Sequence, residues 1–264
     1  MTSGGRLRGA SVLIPRGGPW GERVRSDLER RGAEGIVAPV IASAPPRDLV
    51  SRDRAFAALA AGEYAWLFVT SAAAVEQLAQ QGVIVPPTTQ IAAVGSATAR
   101  AVADTGAEVA FVPTGQSSAT ALTAQWCAGR DPRTTGRALV LRSDLATATV
   151  SDELELRGFG VDVCIGYRTV GIDLAPDVRD RLAAGGVDVV LLTSLSVGRE
   201  LRRQVGALPA TTLVASIGPG TTRDAAQIGF TVHHTARTQS VDALIAELDE
   251  PDAAPAPART ETTP

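Results

Sequence analysis

The residues with chemistry to offer are hydroxyls and glycines placed where helices should begin. They are Thr70-Ser71, the "VGSAT" of residues 94–98 with Gly95 and Thr98, Thr193-Ser194, and the "IGPGT" of residues 217–221 with Gly218 and Thr221. At a strand-to-helix corner, free backbone N–H groups and the positive end of the helix dipole attract an anion. Ser and Thr are also the ordinary N-caps, so a single corner of this kind specifies little. Four in symmetric places point to a ligand. Arg16 and Arg142 close two further apolar strands. A guanidinium fork at the same edge suits a carboxylate or a phosphate. Tyr167, in "CIGYRTV", stands where a strand should leave its sheet, as either a packing residue or a hydroxyl donor.

Other chemistry is excluded by what the chain lacks. All 25 basic residues are arginines, so no lysine is available for a Schiff base, a pyridoxal phosphate anchor or a P-loop. The two histidines, His233 and His234, are adjacent. On an extended segment they point to opposite faces and cannot share a metal, and a solvated strand end is the expected setting. Cys127 and Cys164 lie outside any CxxC, which suits two reduced, buried thiols. The "GPG" of residues 218–220 invites a dinucleotide site, but the third glycine of that fingerprint is Arg223 here.

The elements that must position these residues follow from periodicity and duplication. Short apolar runs such as "WLFV" and "DVVLL" alternate with Ala/Arg/Glu/Leu-rich stretches, which predicts parallel sheets with helical crossovers. Runs apolar at consecutive positions indicate strands covered on both faces. "RRG", "QQG", "DTG" and "LRG" read as helix ends with a left-handed glycine cap. "VTSAAAVEQL" (69–78) and "LTSLSVGREL" (192–201) share an offset of 123, and Gly95/Gly218, Gly106/Gly229 and Ser117/Ser240 keep it. A second echo, "SVLIPR…LERRG" against "ALVLRS…LELRG", has an offset of 126. The chain order is therefore opening unit, Thr-Ser half, opening unit, Thr-Ser half. "APVIASAPPRDLV" and "GYRTVGIDLAPD" are the expected crossovers.

With 264 residues, 45% of them hydrophobic, the chain can bury the cores of two domains. A net charge of −3 with dispersed arginines argues against a nucleic-acid partner. No apolar run is long enough to span a bilayer and no signal peptide is evident, so a cytoplasmic protein without a membrane partner is expected. Residues 251–264, rich in Pro, Ala and Thr, should form a disordered tail.

In order and spacing, the motifs ending in Arg16, "WLFVTS", "VGSATA", "GYRT", "LLTSLS" and "IGPGT" resemble the uroporphyrinogen-III synthase family over about residues 10–248. The resemblance implies two flavodoxin-like α/β domains, each with a parallel sheet, joined by two crossover segments with the active site in the interdomain cleft. It also implies that the first opening unit packs with the second Thr-Ser half. Residues 9–40 plus 171–250 would then form one domain and 41–170 the other.

The implied activity is cyclisation of hydroxymethylbilane, a linear tetrapyrrole with eight carboxylates, to uroporphyrinogen III. Water leaves and ring D is inverted through a spiro intermediate, in a lyase reaction needing no cofactor or metal. Thr70, Ser71, Thr98, Thr193, Ser194 and Thr221, with Gly95, Gly218, Arg16, Arg142 and neighbouring N–H groups, would hold acetate and propionate side chains. Tyr167 would assist departure of the hydroxyl, and the protein would act as a monomer. Pro15, Ala73 and Gly220 depart from the family's usual Thr, Asn and side-chain-bearing residue. The competing expectation from another class is a non-catalytic two-lobed regulatory module that binds a tetrapyrrole or another anion.

Overall fold

The computed structural model describes residues 5–250, so the tail expected at 251–264 lies outside the described residues. The chain opens with β1 (Ser11–Ile14), α1 (Gly18–Arg30), β2 (Glu34–Val37) and β3 (Ile41–Ala44). It continues through α2 (Leu49–Ala60), β4 (Trp66–Val69), α3 (Ala72–Gln80), β5 (Gln90–Ala93) and α4 (Ser96–Ala103). Next come α5 (Ala119–Cys127), α6 (Pro132–Thr135), β6 (Ala138–Ser143), α7 (Thr149–Leu156) and β7 (Val161–Gly171). The last elements are α8 (Pro176–Ala183), β8 (Val189–Leu192), α9 (Leu195–Val205), β9 (Leu213–Ser216), α10 (Pro219–Gln227), β10 (His234–Thr235) and α11 (Val241–Leu248). Among the described residues, no helix is long and apolar enough to cross a membrane.

The chain divides into two compact units, one ending at Ala42 and resuming at Val170, the other spanning Ser43–Thr169. The first contains a sheet in the order β10-β9-β8-β1-β2, the second a sheet in the order β3-β7-β6-β4-β5. The opening strand β1 thus lies beside β8 of the second Thr-Ser half, and β6 beside β4 of the first. The registers carry the duplication: Val12 pairs with Val189 and Ala138 with Trp66, all in parallel. Val12 to Ala138 is the offset of 126, and Trp66 to Val189 that of 123. At the outer edge, the bridge of Ala92 to Phe111 recurs as Ala215 to His234. One repeat anchor does not hold. Ser240 caps α11, but α5 is capped by Ser118 rather than Ser117, so the offset falls to 122 at that corner.

Both faces of the central strands are covered, which is why those strands are apolar at consecutive positions. Val12 and Ile14 of β1 join one core cluster, while Leu13 joins the other. In the second unit, Leu67 and Val69 face one cluster and Trp66 and Phe68 the opposite one, around the fully buried Trp126. The glycines expected at helix ends, Gly32, Gly82, Gly106 and Gly158, all have positive φ. The first expected crossover contains β3, and β7 continues through the second as far as Gly171. Tyr167 therefore still lies within its sheet, opposite Ser143, rather than at the point where the strand departs. The two cysteines are buried free thiols, and burial pushes that of Cys164 up to about 12.

His233 is exposed, as expected of a solvated strand end, whereas His234 is half-buried. His233 Nδ1 accepts from Val214 N at 3.0 Å, and His234 Nε2 lies 2.9 Å from Glu247 Oε2. Glu247 sits on the inner side of α11, 6% exposed, and also accepts from Arg237 N. Burial pushes this carboxyl up, but the hydrogen bonds and charges of Arg237 and His234 outweigh it and hold it below the ordinary range. Because the folded value is the lower one, the resulting stability is complete above the ordinary glutamate value of about 4.3. It is lost as pH falls through the folded value. Urea titrations across that range should show wild type more stable than Glu247→Gln at neutral pH, with the gap closing on acidification. A gap independent of pH would contradict this account.

Candidate functional site

In the unit spanning Ser43–Thr169, β4 delivers Thr70 and Ser71 to the start of α3. Ser71 is extended, and its Oγ accepts from Ala74 N at 3.1 Å, the geometry of an N-cap. The same oxygen lies 2.9 Å from the Tyr167 hydroxyl. Two residues 96 apart in sequence, both selected from the sequence as site residues, therefore share a hydrogen bond. Tyr167 is 6% exposed and belongs to the core cluster containing Leu67, Leu139 and Phe56. It packs and offers a hydroxyl at once.

The backbone around Tyr167 is gripped by a segment the sequence reading had not singled out. The β6–β7 register shifts between Arg142 and Ser143. Beyond that shift Asp144 N donates to Tyr167 O at 3.1 Å, and Asp144 Oδ1 accepts from Thr169 N at 3.0 Å. Arg142 does not project its fork outward: its Nη1 donates to the carbonyls of Ser143 and Ala146, and its Nε is buried without a partner among the described residues. It stitches the loop that holds Tyr167. The signal in the sequence was Ser143-Asp144 directly after Arg142, two short polar side chains suited to a turn.

Gly95 caps α4 with backbone alone, and a Cβ there would lie 2.5 Å from Ser117 Oγ, so this corner has no room for a side chain. Thr98, expected at the edge, is 4% exposed on the inner side of α4, whereas its counterpart Thr221 is half-buried.

In the other unit, Ser194 caps α9 by accepting from Val197 N at 3.3 Å and lies 2.9 Å from Ser196 Oγ. Thr193 Oγ1 beside it is buried with no hydrogen-bond partner among the described residues. An unpaired buried hydroxyl at a helix N-terminus is costly unless a ligand satisfies it. Gly218 begins α10, its carbonyl bound by Ser216 Oγ at 3.0 Å, and a Cβ on it would be 3.2 Å from Gln239 Cγ. The Arg16 guanidinium lies 5.0 Å over the Trp20 ring, and no salt bridge involving it is found among the described residues.

The arrangement is a set of helix starts with hydroxyl and N–H donors, an arginine outside any ion pair among the described residues, and a buried phenol. The family model for uroporphyrinogen-III synthase HemD matches residues 22–246 of this chain. The chain belongs to the uroporphyrinogen-III synthase family. The family is one of tetrapyrrole-synthesis enzymes. Among solved structures, a mutant uroporphyrinogen III synthase from the extremely thermophilic bacterium Thermus thermophilus is similar with TM-score 0.59 and 17% identity, covering 90% of this chain and 96% of that one. Uroporphyrinogen-III synthetase from Helicobacter pylori is similar with TM-score 0.57 and 13% identity, covering 90% and 97%. At these identities the two structures establish the shared two-sheet α/β fold. No curated protein matches the chain by sequence.

Proposed function

We propose that this chain closes hydroxymethylbilane to uroporphyrinogen III as a lyase, inverting ring D as water leaves. The observation that supports the reading most, beside family membership, is the Ser71–Tyr167 hydroxyl pair. One lone pair of Ser71 Oγ takes the N–H of Ala74. Its own proton can then go to the Tyr167 oxygen, 2.9 Å away. The phenol would then donate to the departing hydroxyl, and the serine bond supports the oxygen as negative charge builds on it. The substrate's carboxylates are taken by the N–H groups and hydroxyls at the starts of α3, α4, α9 and α10, and by Arg16. The Thr193 hydroxyl, unpartnered among the described residues, is a donor for such an acceptor.

The test is to supply hydroxymethylbilane and resolve the products by isomer. Isomer III as the main product is expected, because spontaneous closure gives isomer I. Binding of the bilane with no gain in isomer III would overturn the catalytic reading and favour a regulatory module.

A further inference from the structure

The unit spanning Ser43–Thr169 carries a pocket of about 480 Å³ that none of the site residues above explains. Its apolar wall is Pro46 with Val163 and Ile165 of β7, and its basic wall is Arg47, Arg52 and Arg168. Val163 is a strand residue left 39% exposed. Apolar sheet surface left open in this way is available to a flat apolar body.

The charged groups divide into spent and unspent. Asp48 caps α2 by accepting from Ser51 N, and Asp144 accepts from Thr169 N, so both acids in the lining already have backbone donors. Arg52 is the unusual one. Its side chain is 9% exposed, yet its only ion partner among the described residues is the 60%-exposed Asp53, reached through Nε and Nη2. A guanidinium withdrawn from water wants more compensation than one exposed carboxylate supplies. Arg168 uses Nε on the Pro45 carbonyl at 2.9 Å, and its terminal nitrogens have no hydrogen bond among the described residues. Three guanidiniums around an apolar wall, at the start of a 12-residue helix, match a flat ring that carries carboxylates.

We propose that this pocket binds one pyrrole ring by its acetate and propionate side chains, an inference that rests on the tetrapyrrole chemistry proposed above. The strand that forms its wall also carries Tyr167, and Asp144 in its lining holds the Tyr167 backbone. A ring seated here would therefore draw on the segment that positions the phenol.

The probe is a monopyrrole bearing one acetate and one propionate, titrated calorimetrically into the full chain. Wild type should bind it, more weakly as salt rises. Arg47→Ser and Arg168→Ser, both outside the core, should each weaken binding about tenfold, the cost of a lost charge-assisted contact. Val163→Glu should abolish it, with melting curves confirming that the variants are folded, while Tyr167→Phe should bind as wild type does. Failure of wild type to bind, or equal binding by the arginine variants, would overturn the proposal even if wild type makes isomer III. Binding by a wild type that makes no isomer III would instead sink only the catalytic reading. In the arginine variants, a KM for the bilane that rises in step with the lost affinity identifies the ring as the substrate's own. An unchanged KM identifies it as a separate pyrrole ligand.

Discussion

Tyr167→Phe should lower kcat by roughly 10²-fold while leaving KM nearly unchanged. A phenol hydroxyl is a hydrogen-bond donor and so can donate to a leaving hydroxyl. The Ser71 oxygen beside it is fixed by the Ala74 N–H and hydrogen-bonds the phenol oxygen. Phenylalanine keeps the packing against the core cluster and removes only the hydroxyl. Ser71 retains its capping bond in that variant, so the fold should survive with a loss of about 1 kcal/mol for one hydrogen bond. Single-turnover kinetics with isomers I and III quantified separately provide the measurement. A wild-type rate with isomer III still dominant would reduce Tyr167 to a packing residue. Ser71→Ala is the informative companion: it should slow the reaction for the same reason and also cost about 1 kcal/mol as a lost N-cap.

What could be read from the sequence, and what could not, divides along the range of the interactions. The offsets of 123 and 126 were legible because strand ends, serine caps and glycine stops are fixed by local residue types. They reappear as parallel registers at Trp66 and Val189 and as positive-φ glycines. The slip of one residue at Ser118 was not, because Ser117 and Ser118 are chemically equal as caps and only the packing of α5 chooses between them. Thr98 looked like a corner donor by position, but the phase of α4 turns it inward beside Val102. Tyr167 stood out as one of two tyrosines, placed near a strand end. Its partner Ser71 follows from the sheet order, which brings β7 and β4 to either side of β6. The pocket arginines were invisible as a group, since Arg52 and Arg168 are 116 positions apart in an arginine-rich chain.

The two strand-end arginines, equivalent by sequence, should separate in experiment. Arg16 and Arg142 occupy matching places relative to β8 and β4, as the registers of Val12 and Ala138 require. Their surroundings differ. Arg16 lies over Trp20 outside any salt bridge among the described residues, whereas Arg142 is committed to the Ser143 and Ala146 carbonyls. A carboxylate of the substrate can therefore take the Arg16 fork without breaking a protein contact, while at Arg142 it would have to unstitch a loop. Arg16→Ala should raise KM by about ten- to a hundredfold, as expected for removing one member of a charge-assisted pair. The rise should shrink at high salt, where the interaction is already screened. Melting temperature should move little, since only a half-buried cation–π contact of about 1 kcal/mol is lost. Arg16→Lys should recover part of the affinity, because the charge remains but the planar fork does not. Arg142→Ala should do the reverse, lowering the melting temperature by freeing two carbonyls and reducing kcat through the loosened grip of Asp144 on Tyr167. Steady-state KM at two salt concentrations, with a melting curve for each variant, separates the cases. A KM effect at Arg142 with none at Arg16 would mean that the loop opens for substrate and that the stacked arginine serves only to hold Trp20.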